Sequence, residues 1–279
     1  MIVFLIWACQ KNVKEPLLLF EKIPISYSVS THIAEASGIA SSKINRGYLW
    51  VHEDSGNPSQ LHVIKNDGSF FKSIFINDAI NVDWEDMALS QGPHASINYL
   101  YLADIGDNDL ARPDYLIYRF EEPLLSVDTV KTIEKIRFKY TDGSHDAEAL
   151  LVDGASKDIY IITKSDNPSR IYKLAYPQSP TSTNLALLVG QLNFGGATAA
   201  ALSVTGEEII IKTYPSVSYF EKKPGQSIGQ CLKNRFLNLA YQVEPQGEAV
   251  GFAADNSGYY TLSEKAFSTV VNLYFYKRK

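Results

Sequence analysis

A repeat of about fifty residues constrains this chain more than any other feature, because a period of that length marks stacked or radially arranged units. Five apolar runs, each ending in a polar group, occupy residues 48–53, 99–104, 159–164, 209–214 and 259–264. Their last residues, Glu53, Asp104, Lys164, Tyr214 and Glu264, are 51, 60, 50 and 50 positions apart. A second repeated element starts at Ser37, Glu85, Glu148, Thr198 and Glu248. It precedes the end of the next run by 16 residues in four units and by 19 in the second. Small residues dominate this element, as in Ser-Gly-Ile-Ala-Ser and Thr-Ala-Ala-Ala-Leu. That is the composition of innermost strands crowded around an axis.

A third strand is predicted in every unit, at 61–64, 116–120, 171–174, 219–221 and 273–276, with turn signals such as Asn66-Asp67-Gly68 and Asn256-Ser257-Gly258 between strands. A fourth, outer strand fits at 70–76, 131–140, 185–192 and 236–243. The fifth unit has no such segment, whereas the strand-like stretch 17–28 precedes the first unit and can fill the gap. The expected fold is therefore an all-β, five-bladed β-propeller occupying residues 17–279 as a single domain, its ring closed by the N-terminal strand. Closure removes the exposed edges of an open array. A six-bladed ring, the alternative, would need another unit inside the longer second repeat.

Composition agrees with a packed β domain: 45% of the 279 residues are hydrophobic, 12% aromatic and 20% charged. A formal net charge of −5, with no basic run beyond the terminal Lys277-Arg278-Lys279, leaves no electrostatic footprint for nucleic acid. Only Cys9 and Cys231 occur, which excludes a disulfide framework and a Cys-rich zinc site. Cys9 follows the apolar run 2–8, too short to span a bilayer but of signal-peptide length. Ile6-Trp7-Ala8-Cys9 resembles a bacterial lipobox, which implies cleavage before Cys9, lipidation of its thiol and a polar tether, so that 1–16 form a signal and anchor segment. The expected product is an exported lipoprotein facing periplasm or cell surface, a monomer held to the membrane only through that anchor.

In an antiparallel four-stranded blade, the start of strand one, the end of strand two and the start of strand three share one face. That face gathers most of the unusual polar sequence: His52 to Asn57, Asp83 to Asp86, Asp104 to Asp109, Ser144 to Glu148, Lys164 to Asn167, Gln246 to Glu248 and Ser263 to Lys265. Glu85, Glu148 and Glu248 fall at one repeat position. Acids facing a single axis repel, so some must be protonated, paired with Lys164 or Lys212, bonded to backbone N–H groups or bridged by a cation. Asp83, Glu85, Asp104 and Asp107 are the candidate ion ligands, and calcium suits their oxygen donors. Glu53, Asp54, Trp84, Lys164, Glu248 and Glu264 are candidate ligand-binding residues, although Trp84 could equally pack between blades. His145 and Glu148 are the acid/base candidates. Against all of these stands the ordinary role of Asp, Asn and Ser in capping their own turns.

The stretches Trp50 to Pro58, Asp83 to Asp86 (Asp-Trp-Glu-Asp), Asp104 to Asn108 (Asp-Ile-Gly-Asp-Asn), His145 to Ala149 and Gln246 to Ala249 resemble motifs of a group of bacterial secreted or lipoprotein β-propellers. The likeness runs from about residue 35 to residue 264. It implies the fold and an exported location, and no activity comes with it. The fourth unit departs, with Gly195-Gly196-Ala197-Thr198 where three others have Glu, so any site is lopsided. Two readings of function remain: recognition of a small polar molecule, glycan or peptide at the acidic face, and a calcium-assisted hydrolase of phosphoesters or glycosides using carboxylates from several blades.

Overall fold

The structure, a computed structural model, describes residues 19–266 and 270–279. Its strands are β1 (Ile25–Ser28); β2 (Ala36–Ser41), β3 (Tyr48–Glu53), β4 (Gln60–Lys65) and β5 (Phe70–Ile76); β6 (Trp84–Gln91), β7 (Asn98–Asp104), β8 (Tyr115–Glu121), the two-residue β9 (Thr129–Val130) and β10 (Glu134–Tyr140); β11 (Ala147–Val152), β12 (Ile159–Thr163), β13 (Arg170–Leu174) and β14 (Asn184–Gln191); β15 (Ala199–Leu202), β16 (Glu208–Lys212), β17 (Val217–Glu221) and β18 (Leu237–Leu239); and β19 (Ala249–Phe252), β20 (Gly258–Leu262) and β21 (Asn272–Lys277). One helical turn, α1 (Ile228–Cys231), precedes β18.

The fold is all-β, and its strands pair as antiparallel groups in chain order. Sheet one is β2-β3-β4-β5, with β9 added in parallel at its edge. Sheet two is β6-β7-β8-β10 and sheet three β11-β12-β13-β14; their outer strands join in parallel, Phe138 opposite Asn184. Sheet four is β15-β16-β17-β18. Sheet five is completed from the other chain end, order β1-β21-β20-β19, with Ile25 opposite Phe275 and a bridge from Phe20 to Arg278. Within the stretch predicted as the donor, Ile25–Ser28 thus supply the outer strand.

First strands pack in a cycle: β2 on β6, β6 on β11, β11 on β15, β15 on β19, and β19 on β2. Five apolar clusters lie between successive sheets, and one joins sheet five to sheet one through Ala36, Ile39, Ala249 and Leu262. Along β12, Ile159 and Ile161 enter the cluster with sheet two while Tyr160 and Ile162 enter the one with sheet four. Burial of both faces explains why such strands read as unbroken apolar runs rather than alternating ones. At about 25 cal/mol per Å² of apolar surface removed from water, these clusters are the main source of stability. Cys231 is a buried thiol in the cluster between sheets three and four.

Three first strands carry a β-bulge at the same repeat position, at Ser37 between Ala36 and Gly38, at Glu85 between Trp84 and Asp86, and at Glu148 between Ala147 and Ala149. A bulge inserts an unpaired residue and re-aims side chains. It is this device that directs Glu85 and Glu148 toward each other.

Candidate functional site

At the entry ends of the first strands the acids converge. Single carboxylate oxygens of Asp54, Asp83 and Glu85 lie within 4.8 Å of one another, and so do those of Glu85, Asp146 and Glu148. Lys164 binds Glu148 Oε1 closely and stands 3.8 Å from Glu248 Oε1, which also accepts from Tyr214 Oη at 2.5 Å. Glu264 faces Glu248 in turn. At the two repeat positions without Glu, Ser37 Oγ donates to the Glu85 carbonyl (2.6 Å) and Thr198 Oγ1 to that of Gly247 (3.2 Å), tying neighbouring units by backbone contacts.

Burial and mutual repulsion raise the carboxyls of Asp54, Asp83, Glu85, Glu148 and Glu264. Burial, then Glu148, Asp54, Asp83 and Glu248, push the Glu85 carboxyl well above the usual range. Burial also drives Glu148 upward against the pull of Lys164, and takes Asp54 to about 6. Burial and the neighbouring Glu248 lift Glu264 to about 9, so its carboxyl holds a proton at neutral pH.

Several sequence-derived candidates are occupied elsewhere. Asp104 Oδ1 pairs with Arg112 at 2.8 Å and accepts from Asp83 N. Asp107 accepts from Ala111 N, Arg112 N and Tyr115 Oη at 2.7–3.0 Å, which ties its own loop. Of the expected set Asp83, Glu85, Asp104 and Asp107, the first two belong to the carboxylate triads, with Asp54 in one and Asp146 and Glu148 in the other, while Asp104 and Asp107 bond to Arg112 and to their own loop. Glu53 accepts from Ala34 N, Glu35 N and His62 Nε2 and caps sheet one instead of facing the mouth. Trp84 is fully buried between sheets one and two, its Nε1 donating to the Ile80 carbonyl, and offers no platform. His145 is held by Asp166 at Nδ1 (3.0 Å) and by Tyr172 Oη at Nε2 (2.8 Å), with Asp142 at 3.3 Å; no hydrogen bond or ion pair joins it to Glu148 among the described residues. Cys9 lies outside the described residues.

Sequence reasoning missed Asp86 as the centre of the axis. Fully buried, it accepts from its neighbour Met87 N (2.8 Å), from Leu150 N of β11 (2.8 Å) and from Ala200 N of β15 (3.1 Å). Below it, the exit halves of all five first strands line a cavity of about 440 Å³, with Lys43 and Lys222 among its lining residues. The cavity and the acidic cluster thus lie on opposite sides of Asp86. Among the described residues, no helix is long and apolar enough to cross a membrane.

His52 is fully buried against Trp84, its Nε2 without a hydrogen-bond partner, and burial lowers its pKa to about 4. An unfolded histidine titrates near ~6.5, so between pH 6.5 and 4 the unfolded chain takes the proton first. Stability from this group is complete above pH 6.5 and falls as pH drops through 4, by about 3 kcal/mol in total. Urea denaturation across that range is expected to show a shallower loss in His52→Gln than in the parent; parallel curves would refute the buried neutral imidazole.

No protein-family model matches the chain, and neither does any curated protein. Among solved structures it is similar to a luciferin-regenerating enzyme, with a TM-score of 0.54 and 10% identity over 91% of this chain and 95% of that one. It is also similar to the hydrazine synthase of Kuenenia stuttgartiensis, with a TM-score of 0.41 and 13% identity over 84% of this chain and 57% of that one, too low a score to carry an argument. The first likeness places the chain in an all-β fold and says nothing of its chemistry.

Proposed function

We propose that the chain is a five-bladed β-propeller, exported and lipid-anchored through Cys9, whose acidic mouth binds a small polar ligand, a glycan or a peptide. The cyclic packing of the five first strands supports the blade count, and the lipobox-like Ile6-Trp7-Ala8-Cys9 supports the anchor. The observation that carries the binding reading is the mouth itself: Asp54, Asp83, Glu85, Glu148, Glu248 and Glu264 come from four separate units, and among the described residues Lys164 is the one cation ion-paired with them. Carboxylates accept hydrogen bonds, so the favoured ligand is rich in donors, the hydroxyls of a glycan or the ammonium groups of a peptide.

Isothermal titration of the purified domain against cell-envelope glycans and short basic peptides is expected to give saturable binding, weakened at least tenfold, about 1.4 kcal/mol, in Glu248→Gln. Absence of saturable heat with both ligand classes would reject the reading. The hydrolase alternative draws on one specific feature, a Glu264 carboxyl that holds its proton at neutral pH next to Glu248, Tyr214 and Lys164 and so supplies an acid at the mouth. Turnover of glycosides or phosphoesters above the blank, abolished in Glu264→Gln, would favour it; rates equal to the blank dismiss it.

A further inference from the structure

We propose that Asp54, Asp83 and Glu85 are the protein ligands of a calcium ion at the mouth. The decisive residue is Glu85. It is 4% exposed, and among the described residues its carboxylate makes no hydrogen bond and no ion pair. Its charged neighbours are Glu148, Asp54, Asp83 and Glu248, all acids. A buried carboxyl surrounded by other acids is relieved by a proton or by a cation. The two nearby cations are engaged elsewhere, Lys164 by Glu148 and Arg112 by Asp104.

The triad is built to hold these oxygens together. Asp54 follows β3 and is turned by Ser55 N, which donates to Oδ1 at 2.6 Å; Asp83 and Glu85 flank Trp84, whose burial fixes both. Gly106 leaves the space they need, since a Cβ there would stand 2.2 Å from Glu85 Oε1 and 2.3 Å from Asp83 Oδ2. The second triad is less suited. Asp146 already accepts from Asp107 N and Ser165 Oγ, and Glu148 is ion-paired with Lys164 through Oε1, while its buried Oε2 has no hydrogen-bond partner among the described residues.

Three carboxylates with no nitrogen or sulfur donor select a hard cation. Calcium takes six to eight oxygens in an adaptable geometry, so water or a ligand hydroxyl completes the shell. The ion therefore deepens the acidic-mouth reading by supplying a positive centre to which a polyhydroxylated ligand attaches.

The experiment uses calcium alone, so its failure is separable from a failure of glycan or peptide binding. Titration of chelator-treated protein with Ca²⁺ is expected to give one saturable site, and excess Ca²⁺ to raise the melting temperature. Glu85→Gln should lower calcium affinity at least tenfold and abolish the thermal shift, while melting at or above the temperature of the calcium-free parent because a buried uncompensated carboxyl is gone. Glu35→Gln, at the exposed rim, should bind calcium as the parent does. No calcium binding by the parent, or unchanged binding by Glu85→Gln, would overturn the proposal. A calcium-free Glu85→Gln that melts well below the calcium-free parent would overturn it too, because Glu85 would then be a structural residue.

Discussion

Replacement of Asp86 by alanine is expected to lower folding stability by about 3–6 kcal/mol, one of the two largest effects of any single side chain considered. Three backbone N–H groups, those of Met87, Leu150 and Ala200, end on this carboxylate in a fully buried place. Leaving a buried donor unsatisfied costs roughly 1–3 kcal/mol, and water has little access to restore three at once. β6 and β15 are not neighbours in the cycle, so Asp86 also makes a direct link across the centre. Asp86→Asn retains one acceptor oxygen and should recover part of the loss. Urea unfolding of parent, Asp86→Ala and Asp86→Asn measures this through the midpoint at constant slope. A loss below about 1 kcal/mol for alanine would mean that the three amides find other partners.

The sequence disclosed the scaffold more fully than the site, and the reason is physical. Strand positions follow from burial on both faces, which leaves apolar runs at a fixed period whatever the loops contain. The predicted outer strand at 236–243 is observed only over Leu237–Leu239, although apolar residues alternate on to Val243. Side-chain direction is another matter. In Asp83-Trp84-Glu85-Asp86 a bulge decides that Glu85 faces the mouth while Asp86 turns into the axis, and nothing in the four letters marks a bulge. Asp104 and Asp107 stand in the sequence as oxygen donors alongside Asp83 and Glu85, yet Arg112 and Tyr115, from the same loop and the following strand, occupy them. The partners of His145 include Asp166 and Tyr172, more than twenty residues away. At Gln246-Gly247-Glu248 a Cβ on Gly247 would stand 2.2 Å from Lys212 Nζ, so the glycine leaves room for a buried lysine beneath the turn.

That lysine carries the second large effect. Lys212 is fully buried, bonded to the Gly247 carbonyl, 3.6 Å from Glu244 Oε2 and 4.8 Å from the centre of the Tyr241 ring. Burial lowers its pKa to about 8, with Glu244 opposing the shift. Lys212→Met would leave Glu244, itself 4% exposed, as a buried acid with Tyr241 Oη as its remaining hydrogen-bond donor. Breaking a buried pair from one side costs about 3–5 kcal/mol. Replacing both partners by apolar residues of similar volume is often neutral, since the desolvation of two charges disappears with their attraction. The Gly247 carbonyl would still accept from Thr198 Oγ1, and the partly buried Tyr241 hydroxyl can reach water. The double variant Lys212→Met with Glu244→Met is therefore expected to lie within about 1.5 kcal/mol of the parent, against the several lost by Lys212→Met alone. Chemical denaturation of the four proteins of this cycle measures the coupling. Equal losses in the single and double variants would show that the lysine acts through the Gly247 carbonyl and not through Glu244. In that case the turn presenting Glu248 to the mouth would depend on a hydrogen bond rather than on a charge pair.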